Sequence, residues 1–242
     1  MRACWRRAPE VDEERDAYRP PPGELLALVG VLALIEIVLE LSDRGLIARG
    51  LRGQVFAVGA FWAPFLHGAR PFFEAQPATM FVSHAFLHGG FLHMAMNSVV
   101  LLGLGRLAAD IYGRGVILPV FLFGAVAGGA AFGLLSASPY PMVGASGAIF
   151  AFVGVWVVGD WRRLRAAGRP VRPVLSRVFG FVLLNAIFFV ALSGMLAWEA
   201  HLGGFLAGLV AGTLLEARRE RRTAARLAAA RAEARARREP RG

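Results

Sequence analysis

The chain has 242 residues, 56% of them hydrophobic and only 18% charged, with a mean hydropathy of +0.53. A soluble domain of this length carries more charge and shows amphipathic rather than uniformly apolar segments, so these figures exclude an ordinary water-soluble globule and point to an all-α, polytopic membrane protein. The formal net charge of +10 comes from arginine, there being no lysine, and arginine-rich stretches lie at the two chain ends and in one loop; membrane topology accounts for that placement, and no nucleic-acid partner is expected.

Residues 1–23 are polar and charged and end in Pro20-Pro21-Pro22-Gly23. They read as a solvated tail, not as a cleavable signal peptide. The single cysteine, Cys4, leaves no internal disulfide framework and no cysteine-based metal site. A first span is expected over about 24–41, carrying Glu36 and Glu40. Residues 42–83 are too apolar for an ordinary loop but are interrupted by Pro64 and Pro71 and rich in Phe, with Trp62 among them, a composition suited to the membrane interface.

Further spans are expected over about 90–107, 116–135, 145–158, 178–192 and 199–215, six in all. The membrane domain is thus 24–216, and 217–242 is a basic, Ala-rich tail suited to a helix in water or on an anionic membrane surface. Arginines crowd the stretch WRRLRAAGRPVRPVLSR between the fourth and fifth spans, while SASPYPM and SGMLAW, after the third and fifth, carry no charge. Cytoplasmic loops collect positive charge, so both termini are expected in the cytoplasm. Arg44, Arg49, Arg52 and Arg70 make the long first loop an exception.

This topology places Ser146, His201, His93 and Asn97, from three different spans, at one depth near the outer face. Polar groups inside a bilayer cost free energy and usually face a cavity where they act. A serine hydroxyl needs a base to become a nucleophile, and histidine is the usual one. Glu199 lies two residues from His201 and points elsewhere on a helix, and Asp160 lies at the cytoplasmic end of its span. A Ser146–His201 dyad is therefore expected rather than a triad with either carboxylate. Phe150 follows Ser146 by four residues, on the same helix face, where its ring can stack on the imidazole. His201, Gly204 and Gly208 share a face, and glycines at that spacing let two membrane helices approach closely. His93 and Asn97, also four apart, can donate to a developing oxyanion, as can the Ser146 N–H at a helix start. A plain packing role for Ser146 or His201 is the competing reading. Metal binding by His84, His88 and His93 is disfavoured, because His84 and His93 are out of phase on a helix and no carboxylate lies among the three. No metal or other cofactor is expected. A small transporter is a weak alternative, lacking inverted repeats and a paired intramembrane charge.

Three motifs together resemble the rhomboid intramembrane serine proteases: GASG at 144–147, AHLGGFLAG at 200–208 and HAFLHGGFLHMAMN at 84–97. The resemblance covers about 24–216 and implies a six-helix bundle, peptide-bond hydrolysis in or beside transmembrane helices of substrate proteins, Ser146 as nucleophile, His201 as general base and His93 and Asn97 as oxyanion donors. It makes Gly144, Gly147, Gly204 and Gly208 motif glycines and His88 a structural residue of the first loop. Thr79 and Met80 stand where many rhomboids carry Trp-Arg, and Phe150 where a tyrosine is common. A catalytically dead relative that binds membrane clients is the alternative within the family.

Overall fold

The structure, a computed structural model, describes residues 20–236; the expected N-terminal tail, Cys4 and residues 237–242 lie outside the described residues. Among the described residues eight α-helices follow one another: α1 (Gly23–Asp43), α2 (Leu51–Gly59), α3 (Gln76–Ser83), α4 (Phe91–Tyr112), α5 (Ile117–Leu135), α6 (Ser146–Ala166), α7 (Arg172–Ala191) and α8 (Trp198–Ala236). Among the described residues there is no strand, only an isolated bridge between Phe61 and Met142. The fold is an all-α polytopic bundle.

Among the described residues five helices are long and apolar enough to cross a membrane: α1, α4, α5 with its leading turn, α7 and α8. The remaining long helix, α6, carries Asp160, Arg162, Arg163 and Arg165 in its last turns and is the centre of the bundle, packed against α4, α5, α7 and α8. Being ringed by protein, it needs less lipid-facing apolar surface. Its buried face includes Gly147, Ala151, Gly154 and Val155.

Two expected boundaries move. The arginine-rich loop after α6 shrinks to residues 167–171, because α6 runs to Ala166 and α7 starts at Arg172, with a proline in its first turn. The helix of the last span, expected over about 199–215, runs without a break into the Ala-rich tail, itself expected to be helical, as one helix to Ala236. In both places hydropathy ends before helicity does, since Arg and Ala are good helix formers and Arg keeps its charge at the interface while its stem stays apolar.

Small residues set how close the helices come. A methyl group on Gly204 would lie 1.8 Å from the Gly147 carbonyl oxygen, and one on Gly208 would lie 2.1 Å from that of Ala151. Between membrane helices such backbone proximity replaces the hydrophobic drive that lipid cannot supply. The opposite case is α7, which buries only Val174 and is the least packed of the long helices.

The first loop is tied down without a Trp-Arg pair. Phe61 and Met80 are wholly buried in one cluster with Phe132 and Met142, and Phe61 and Met142 exchange two backbone hydrogen bonds of 2.9 Å. Arg52 reaches Glu36 at 2.9 Å, Asp43 and the His88 carbonyl at 2.8 Å, clamping α2 to α1 and to the histidine-rich stretch. Gln76 holds the loop from within, donating to Ala57 O at 2.6 Å and accepting from the Phe72 N–H at 2.9 Å.

Candidate active site

Gly144 precedes α6 with a φ of +129°, a conformation that an L side chain rarely adopts. Its N–H donates to the His84 carbonyl at 3.0 Å, and the Ala145 N–H donates to His88 Nε2 at 3.4 Å. His84 in turn donates from Nδ1 to the Met80 carbonyl at 2.8 Å. The histidine-rich stretch thus braces the turn that presents Ser146 as the first residue of α6. Burial holds both imidazoles neutral: His84 is pushed down to about 4 despite its bond to Met80, and His88 down to about 3, with His93 beside it adding to the shift.

Ser146 Oγ lies 2.8 Å from His201 Nε2, joining the starts of α6 and α8. The Phe150 ring stacks on the imidazole, with centroids 4.4 Å apart and planes 12° from parallel. The close crossing at Gly147–Gly204 is one helical turn from this contact, so helix approach and side-chain reach are a single geometric fact.

His93 and Asn97, on α4, converge on the same turn. A methyl group on Gly144 would lie 3.0 Å from His93 Nε2 and 3.7 Å from Asn97 Nδ2, so the missing side chain leaves the space where the two donors meet. His93 Nδ1 accepts from the Gly89 N–H at 3.4 Å, which leaves the proton on Nε2. Asn97 Nδ2 is buried and has no hydrogen-bond partner among the described residues. An unpaired buried donor is costly and calls for an explanation in function.

The sequence reading missed one residue. His201 Nδ1 lies 2.5 Å from Oδ1 of Asn185, on α7. With both ring nitrogens engaged, neither Glu199 nor Asp160 is a partner of the imidazole; Asp160 pairs with Arg163 and Arg177 instead. Asn185 is the sole polar side chain in 178–192, and that isolation was the available signal. Behind the imidazole lies an apolar cavity of about 510 Å³, walled by Phe150, Phe181, Asn185, Phe189, Trp198 and Phe205, among others.

The Rhomboid domain family matches residues 74–218, more than half of the chain and all of the site just described. The chain belongs to the rhomboid family. Two relatives are similar over shorter stretches. The rhomboid protease GluP of Bacillus subtilis (strain 168) is 30% identical over 122 residues, covering 50% of this chain and 22% of that protein. The RHOMBOID-like protein 9, chloroplastic, of Arabidopsis thaliana is 32% identical over 103 residues, 42% of this chain and 23% of that protein. The matched region is therefore under a quarter of either relative's length. Family membership and the apolar helices together make this rhomboid an integral, multi-pass membrane protein.

Proposed function

We infer that this rhomboid is an intramembrane serine endopeptidase that cuts peptide bonds in or beside the transmembrane helices of other proteins. The observation that carries the reading is the 2.8 Å contact between Ser146 Oγ and His201 Nε2, made between non-adjacent helices and backed by a stacked ring. As Oγ attacks the scissile carbonyl carbon, its proton passes to Nε2 and the carbonyl π electrons move onto oxygen. The collapsing intermediate expels the amine, which takes the proton back from Nε2; water then hydrolyses the acyl-enzyme by the same route. The His93 Nε2–H, the Asn97 amide and the Ser146 N–H are the donors for the oxyanion, each worth about 3 kcal/mol in the transition state. The position of Asn97 Nδ2, 3.7 Å from where a methyl group on Gly144 would lie, supports this reading, since it aims a buried donor at the turn that carries Ser146.

A substrate helix hides its carbonyls in its own hydrogen bonds and must unwind locally, so small or helix-breaking residues near the cut are expected. Weak packing of α7 supports access to the site beside that helix, between α4 and α7, with the exposed Met195 in the loop above it as part of a lid. Arginine placement supports both termini in the cytoplasm, with a membrane domain over 24–216 and tails on either side, and the high Arg and Ala content supports a bacterial inner-membrane protein.

The test is cleavage of a labelled transmembrane substrate by purified protein in detergent or vesicles, alongside labelling of Ser146 by a fluorophosphonate. Both signals should vanish in Ser146→Ala, and cleavage should vanish in His201→Ala. Cleavage surviving in either variant would overturn the assignment.

A further inference from the structure

We propose that Asn185 is a positioning residue for His201, fixing which ring nitrogen carries the proton and so making the site a Ser146–His201–Asn185 relay of orientation rather than a free dyad. The proposal rests on the protease reading above and adds a third residue to it.

The chemistry follows from two contacts. Asn185 Nδ2 lies 2.8 Å from the Phe181 carbonyl, one turn back along α7. A carbonyl accepts only, so the amide's NH₂ must face it and Oδ1 must face the imidazole. Oδ1 is also an acceptor only, so the atom 2.5 Å away, His201 Nδ1, must carry the proton. Nε2 is then the lone-pair nitrogen, and it is the one that meets Ser146 Oγ at 2.8 Å. The chain of constraints from Phe181 O to Asn185, to His201 and to Ser146 admits one tautomer, the one able to take the serine proton. Once that proton has moved, the Asn185 carbonyl dipole points at a full imidazolium and stabilises it. An amide does so without adding a second charge to an apolar site.

The surroundings raise the weight of this contact. The wall behind the imidazole is lined almost wholly by apolar side chains, so little else there can hold Nδ1. A polar side chain in the middle of a membrane helix costs free energy unless it is paired or in use. Asn185 also sits on α7, the least buried of the long helices, so the orienting bond to α8 depends on where that loosely packed helix rests.

The test compares the wild-type chain with Asn185→Leu, Asn185→Ala, Asn185→Asp and Ser146→Ala in the cleavage assay, with melting temperatures and ¹⁵N spectra of the histidine rings. Leu matches Asn in size but cannot accept; Ala removes the same acceptor and only enlarges an existing cavity, which covers the case in which Leu packs badly. Expected are a fall in kcat of about tenfold or more for Leu and Ala, with KM within about twofold. The His201 spectrum should shift from a proton held on Nδ1 to a mixture of tautomers. Asp, which can accept the same proton, should recover at least a third of the lost rate, in order of magnitude. The proposal is overturned if Leu and Ala keep kcat within twofold of wild type while Ser146→Ala is inactive, or if the Nδ1–H signature is unchanged in them. Cleavage by Ser146→Ala would instead remove the underlying protease reading.

Discussion

Replacing Gly204 by alanine puts the helix crossing itself to the test. The added methyl would sit 1.8 Å from Gly147 O and 2.8 Å from Gly147 C, both backbone atoms that no rotamer change can move. Ordinary contact begins near 3.4 Å, so α8 must back away from α6 by about 1.6 Å at this level. His201 lies three residues earlier on α8, and its Nε2 is now 2.8 Å from Ser146 Oγ. Even if only two thirds of the shift reaches the imidazole, the pair parts by roughly 1 Å, beyond the 2.6–3.2 Å or so over which a proton is handed across. A misplacement of that size costs about 10² in rate, and overpacking of this kind costs about 1–3 kcal/mol of stability. The assay is kcat on a transmembrane substrate together with the melting temperature. Gly30→Ala on α1, where an added methyl meets nothing within 4 Å, serves as the matched control. If Gly204→Ala kept kcat within about threefold of wild type, backbone contact at the α6–α8 crossing would not be what sets the Ser146–His201 distance.

Asn97→Ala separates function from stability. Because Asn97 Nδ2 is buried without a partner, removing it should leave the melting temperature unchanged or raise it, while kcat falls about 10²-fold for loss of an oxyanion donor; a lower melting temperature with kcat intact would make it a structural residue. The histidines bracing the nucleophile turn predict an acid sensitivity. His84 and His88 have folded-state values of about 4 and about 3, below the ordinary 6.5, so the unfolded chain binds protons first as the pH falls. The stability they confer is complete above 6.5 and declines as the pH drops through 6.5 toward 4 and then 3, which melts recorded at pH 7.5, 6 and 5 should show as a falling melting temperature; a melting temperature constant across that range would contradict the neutral, buried assignment.

What the sequence determined by itself was whatever depends on local spacing and composition. The apolar spans follow from the length of uncharged runs, and the shared face of Ser146 and Phe150 and the row of His201, Gly204 and Gly208 from 3.6 residues per turn. The expectation that Ser146, His201, His93 and Asn97 share one depth rested on arginine counts and alternation of spans. Helix ends were less legible, as the extension of α6 to Ala166 and the start of α7 at Arg172 show, because hydropathy reports lipid contact and not helicity.

Tertiary structure alone decided the partnerships. Nothing in the spacing of Asn185 and His201, 16 residues and a turn apart, says that an amide on the loosest helix meets the imidazole's far nitrogen. Nor does composition say that Arg52 clamps Glu36, Asp43 and the His88 carbonyl where a Trp-Arg pair is missing. Such contacts depend on the rotation and depth of whole helices, which packing of many small residues sets jointly and no short stretch of sequence encodes.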